Sequence, residues 1–144
     1  MLKMLFITFS IVWFVGILIP ILLNENQIDY YYFLKMLYSP VCHQNPEKSF
    51  FYNNFQLPVC ARCFGIYLGL IIAIIGVQFN FRNKISLRFL SLSLLPMAID
   101  VALYQLKIYT YNKIVSAFTG ITFSSILFLF IFESITESVM EENK

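Results

Sequence analysis

With 59% hydrophobic and only 12% charged residues among its 144, and a mean hydropathy of +0.74, the chain carries more apolar surface than a soluble domain of this size buries. That excludes a water-soluble globular protein and predicts a single integral membrane domain over residues 1–144, with the lipid bilayer as its first partner. The formal charge of +2 comes from scattered basic residues rather than a Lys/Arg stripe, which leaves no basis for nucleic-acid binding.

About 20 helical residues are needed to cross about 30 Å of hydrocarbon. The first apolar span covers residues 4–23. Lys3 and the run behind it imitate a signal peptide, yet the run is longer than an h-region and no small-x-small site follows, so we read it as a retained helix. Residues 24–57 form a long connection at the interface. Within it, Tyr30 to Tyr38 make an aromatic, weakly charged run suited to a helix lying at headgroup level, ended by Ser39-Pro40. Asn45-Pro46-Glu47 reads as cap, first-turn proline and dipole-compatible acid, predicting a second short helix through Phe50 and Phe51.

The second span runs over 58–78, with Pro58 as its first helical residue, where a missing N–H costs nothing. The third covers 87–106 and the fourth 114–132, after which Glu133 begins an acidic, helix-compatible tail. The expected fold is therefore all-α: an integral membrane four-helix bundle with a long Cys/His-containing connection between helices 1 and 2. Four crossings put both termini on one side. Arg82, Lys84 and Arg88 crowd the second connection, whereas Lys35, Lys48 and Arg62 are spread over the first. The positive-inside rule then places the termini in the cytoplasm and the Cys/His connection outside a plasma or inner membrane.

All three cysteines and the single histidine fall between residues 42 and 63. Cys60 and Cys63, at i, i+3 spacing in the first turn of the second span, share a face, and the helix N-terminus with Arg62 beside it favours thiolate. Cys42, His43, Cys60 and Cys63 together make a Cys₃His set, the ligand count of a closed zinc site. Neighbouring side chains such as Cys42 and His43 reach one ion only if the backbone turns between them; otherwise His43 supports the site from outside, and a water or Asp100 completes it. An iron–sulfur cluster needs a further ligand of the same kind, and covalent haem needs a CxxCH motif where this chain has Phe64 after Cys63. The redox alternative is a membrane thiol-disulfide oxidoreductase in which Cys60 and Cys63 cycle as a disulfide and Cys42 shuttles. Small four-helix membrane oxidoreductases that pass electrons between thiols and quinone share this layout in architecture only, and usually hold more paired cysteines. The remaining reading is that three small, buried thiols and a hydrogen-bonded histidine simply share a loop.

Inside the third span, Asp100 costs several kcal/mol or more unless it is protonated, paired or wet. It follows Pro96 by one helical turn, and Gln105 is the next polar group. Its functional readings are a proton, ion or headgroup site, which would make the protein a small transporter or lipid binder, or a long-range partner for Arg62 or the metal. The alternative is a protonated acid bonded to a neighbouring helix. Gly65, Gly69, Ala73 and Gly76 form a small-residue stripe along the second span, read first as a packing face within the chain, with Gly120 as counterpart, and second as a homo-oligomer seam. No GxGxxG, P-loop, HExxH or nucleophile elbow is present, so any enzymatic activity rests on redox or metal-assisted chemistry.

The segment Ser39-Pro40-Val41-Cys42-His43-Gln44-Asn45-Pro46-Glu47-Lys48-Ser49-Phe50, with Leu57-Pro58-Val59-Cys60-Ala61-Arg62-Cys63-Phe64-Gly65-Ile66-Tyr67, resembles the signature of small predicted membrane proteins grouped as domain of unknown function 2085. Pro96-Met97-Ala98-Ile99-Asp100 and Thr119-Gly120 resemble later blocks of that family. One departure is that the family has a longer polar stretch with an arginine before the Thr-Gly step, where this chain offers Asn112, Lys113 and Ser116. The resemblance implies the membrane fold and the Cys/His site, and no activity.

Overall fold

The structure, a computed structural model, describes residues 2–22, 28–78 and 86–142. In chain order its elements are α1 (Leu2–Leu18), extended by a 3₁₀ turn Ile19–Ile21, α2 (Ile28–Tyr38), β1 (Ser49–Tyr52), β2 (Phe55–Cys60), α3 (Ala61–Gln78), α4 (Leu87–Gln105) and α5 (Lys113–Glu142). The described chain is mostly helical. By length and composition α3, α4 and the Lys113–Thr136 part of α5 suit a membrane crossing, and Ile7–Ile21 is a shorter apolar helix. Arg82 and Lys84, which carry the orientation argument, lie outside the described residues.

The structure corrects the reading of the first connection. Asn45 does cap, its side chain accepting the Glu47 N–H at 2.9 Å, but the turn it opens is a single 3₁₀ turn over Pro46–Lys48. The chain then enters an antiparallel β-hairpin in which Tyr52 pairs with Phe55 across Asn53-Asn54. Both turn residues have positive φ, 45° and 65°, as a two-residue hairpin loop of matching twist demands, and asparagine tolerates that region. The aromatic run Phe50-Phe51-Tyr52 favours the strand over another helical turn. Consequently the fold is not purely α. Pro58 sits in β2, where a two-stranded edge accommodates its missing N–H, and α3 begins three residues later, at Ala61.

Small residues let α3 and α5 pack backbone to backbone. A Cβ on Gly65 or Gly69 would overlap the carbonyl of Ala117 or Ile121, and one on Gly120 would lie 2.7 Å from the Arg62 carbonyl. Ser124 and Ser125 then donate across the interface to the carbonyls of Ile66 (2.6 Å) and Gly69 (2.9 Å). Such contacts hold helices together where lipid supplies no hydrophobic drive. Ala73 continues the buried stripe, but Gly76 faces open space. The matched order of residues makes α3 and α5 parallel. On its other side α3 meets α1 through Phe14 and Phe64, ring centroids 5.6 Å apart, and α4 packs on α5.

The hairpin is seated at the shared end of these helices. Its core is Ile17 of α1, Leu34 and Tyr38 of α2, Cys42, Leu57 and Val59, with Trp13, Phe14, Phe50 and Phe64 packed around them. The Tyr38 hydroxyl donates to the Trp13 carbonyl at 2.6 Å, and its ring occupies the space that a side chain on Gly16 would fill. While Leu34 and Tyr38 face inward, α2 leaves Tyr32, Phe33 and Met36 64–76% exposed. That apolar outer face matches a helix at the membrane–water interface.

Candidate metal site

Cys42 lies in the turn after α2, where its N–H still bonds the Tyr38 carbonyl at 3.1 Å. Cys60 closes β2 and Cys63 falls in the first turn of α3. Two separate segments thus deliver three sulfur atoms that lie within 4.8 Å of one another. All three thiols are free. A tetrahedral ion with Zn–S bonds of about 2.3 Å holds its sulfurs roughly 3.8 Å apart, so the sulfurs need approach one another by no more than about 1 Å to reach that spacing.

The electrostatics favour one thiolate before any ion arrives. The Cys42 sulfur has the Cys60 and Cys63 thiols beside it, and it accepts the N–H groups of Cys60 at 3.1 Å and Gln44 at 3.5 Å. Those neighbours, the two thiols foremost, hold Cys42 well below the ordinary thiol range. Hydrogen bonding to Cys42 pushes the Cys60 thiol up instead, and burial adds to the rise. An ion of charge +2 reverses that penalty and lets the remaining thiols ionise.

His43 is exposed and stands outside the sulfur cluster. Of the four residues expected as ligands, the fold therefore brings together Cys42, Cys60 and Cys63. The chain does turn here, with Gln44 at φ 51°, but the turn directs Cys42 inward and leaves its neighbour outside.

Gln44 and Gln56, which sequence reasoning passed over, lock this geometry. The Gln44 amide donates to the carbonyls of Lys35 (2.6 Å) and Pro58 (2.9 Å), joining the Cys42 turn to α2 and β2. The Gln56 amide, 4% exposed, donates back to the Gln44 carbonyl at 2.6 Å and to the Ser49 hydroxyl at 3.0 Å. Lys35 completes the set by donating to the Gln56 side-chain oxygen at 3.2 Å. A buried glutamine on a short apolar strand was the available signal, since such a group persists only when satisfied.

A second polar cluster lies between the helices. Arg62, held between Cys60 and Cys63 in sequence, donates to Asp100 at 2.6 Å. Asp100 is 5% exposed and also accepts the Ser116 hydroxyl at 2.7 Å and the Tyr109 hydroxyl. These donors come from α3, α5 and the α4–α5 connection, so the carboxylate is a joint for three parts of the chain. Its bond to Asp100 pushes the Tyr109 phenol up to about 12. Asp100 is not among the clustered sulfur ligands, and Gln105 ends α4 exposed to solvent, apart from this joint. Arg62 keeps one buried, unpaired atom, its Nε. Lys48 sits 4.1 Å from the ring centroid of Tyr104, near the end of α4, and 5.6 Å from that of Tyr111 in the α4–α5 connection, a cation–π clasp between the turn before β1 and these two segments.

Comparison with known proteins places these features in a family. The family model described as "Predicted membrane protein (DUF2085)" matches residues 42–130, more than half of the chain, from the first cysteine through most of α5. An uncharacterised protein of Methanocaldococcus jannaschii is 40% identical over 74 residues, 46% of this chain and 46% of the relative. Another, from Methanothermobacter thermautotrophicus, is 47% identical over 34 residues, 24% of this chain and 31% of the relative. The chain thus spans less than half the length of either relative. No solved structure matches it.

Proposed function

This chain belongs to the DUF2085 family of predicted membrane proteins, and from that premise we propose that it is a metal-binding, multi-pass membrane protein holding a zinc-type ion on Cys42, Cys60 and Cys63. The observation that carries the reading is the convergence of three sulfurs from two segments within 4.8 Å. In this account α1, α3, α4 and α5 make four crossings as a membrane bundle, with both termini cytoplasmic and the hairpin at the outer face of a plasma or inner membrane. The ion ties the Cys42 turn to the start of α3. Its fourth position is left to a water, to an incoming ligand or to His43 after a local turn. Three protein ligands with one open position is the arrangement of catalytic zinc sites, which polarise what binds there. Asp100, whose oxygens are taken by Arg62, Ser116 and Tyr109, serves in this reading to join helices rather than to carry an ion or substrate.

A second reading draws on the favoured Cys42 thiolate beside two thiols. Cys60 and Cys63 would form the disulfide, with Cys42 shuttling, and the two thiols would give up two electrons and two protons to a membrane quinone, which becomes quinol. Cobalt substitution separates the two. Anaerobically prepared protein loaded with Co²⁺ shows intense thiolate-to-cobalt charge transfer in the metal reading, weakened stepwise by Cys42→Ser, Cys60→Ser and Cys63→Ser. Absence of those bands in folded, fully reduced protein refutes it and leaves the redox reading standing.

A further inference from the structure

A groove of about 270 Å³ opens between α1 and α3, lined by Phe9, Ser10 and Trp13 on one side and Tyr67 and Leu70 on the other. Its depth identifies the medium that fills it. Tyr67 and Leu70 lie six and nine residues beyond Ala61, about 9 and 14 Å along the helix at 1.5 Å per residue. That reaches from near the hairpin end to the middle of an apolar, membrane-length helix, and Phe9 at the groove's rim is 60% exposed beside Val12 at 64%. The groove is therefore continuous with the lipid-facing surface of α1.

A hydrocarbon chain fits this open, apolar space lengthwise. Its inner end is distinctive: Trp13 and Tyr67 both pack against the buried cluster that contains Cys42, and Cys60 and Cys63 pack against that same cluster. A groove of similar volume between α4 and α5, lined by Leu92, Pro96, Phe118 and Thr122 among others, includes no cysteine.

We infer that the α1–α3 groove binds the hydrocarbon tail of a membrane lipid and brings its oxygen-bearing head to the open position of the ion on Cys42, Cys60 and Cys63. The head's destination rests on the metal reading above; the tail site does not. Ligands arrive sideways from the bilayer, and the aromatic walls grip the chain while the sulfur-bound ion takes a carboxylate or phosphate oxygen.

Trp13 is the only tryptophan in the chain, so tryptophan fluorescence comes from a wall of this groove. Full-length, cobalt-loaded protein in mild detergent is titrated with a brominated long-chain fatty acid, following Trp13 quenching and the cobalt ligand-field bands together. Saturable quenching at one fatty acid per chain, with a parallel shift of the cobalt bands, is the expected result. Ser10→Phe and Leu70→Phe, filling opposite walls, each weaken the apparent affinity about tenfold while leaving the cobalt spectrum of the ligand-free protein intact. Quenching that rises linearly with additive means general contact with apolar solvent and overturns the inference. Saturable quenching with unmoved cobalt bands overturns delivery to the ion. Unquenchable Trp13 in a chain that light scattering shows to be dimeric assigns the groove to a second copy and also overturns it. Absence of cobalt bands from the start sinks the metal reading, while the quenching curve still decides the tail site.

Discussion

Replacing Asp100 with asparagine leaves the shape of the α3–α4–α5 joint nearly unchanged and removes its charge and one of its two acceptor oxygens. The carboxylate takes a 2.6 Å ion pair from Arg62 and hydrogen bonds from Ser116 and Tyr109; the amide retains one acceptor oxygen for three donors. Removing one member of a buried pair costs roughly 3–5 kcal/mol because the other charge stays desolvated. The Arg62 side chain is 22% exposed, which relieves part of that penalty, and we expect about 2–3 kcal/mol. For a chain of this length that lowers the unfolding midpoint by about 5–10 °C. Thermal unfolding in detergent by circular dichroism, for Asp100→Asn, Arg62→Gln and the double variant, reads the effect. The double variant loses both charges and is expected to cost less than the sum of the singles by at least about 1 kcal/mol. Additive effects, or an Asp100→Asn midpoint equal to that of the parent, refute the joint and return Asp100 to the candidates for ion or proton handling.

Gly65→Leu drives a side chain into the Ala117 carbonyl and is expected to abolish the folded bundle, while Gly76→Leu, facing open space, leaves stability within about 0.5 kcal/mol; size-exclusion profiles and thermal unfolding of the two variants check this. Gln44→Ala removes bonds to Lys35 and Pro58 and is expected to weaken metal affinity by about 10–100-fold through loss of support. His43→Ala leaves metal stoichiometry unchanged, and competition with a chromophoric chelator measures both. Tyr109, at about 12 against an ordinary 10.0, holds its proton in the fold over a pH window in which the unfolded chain releases it. Its stabilising contribution is complete below pH 10.0, is lost as pH rises to about 12, and disappears in Tyr109→Phe. Denaturant midpoints across that range test the sign.

How far the sequence foretells this molecule differs from residue to residue. The apolar spans are legible because lipid demands them in bulk, and the sulfur triad is legible because three cysteines crowd one polar connection. The hairpin is not, since Asn45-Pro46-Glu47 carries a genuine capping signal that the structure honours for one turn only. Asn53-Asn54 between aromatic runs was the competing hairpin signal. Reading a helix there also carried Pro58 into the second span, although the helix waits for Ala61. The Arg62–Asp100 pair was one of several partners open to Asp100, because 38 residues separate the two and only the packing of Gly65 and Gly69 against α5 fixes their approach. Tyr109 has no periodic or motif signal, and its role arises from where the α4–α5 connection happens to cross.

The most direct test is elemental analysis of anaerobically purified native protein beside Cys60→Ser, with free thiols counted in both. Near-stoichiometric zinc is expected in the native chain and its loss in the variant, since two remaining thiolates make a poor site. Metal-free native protein that is folded and carries a reducible disulfide contradicts the metal reading.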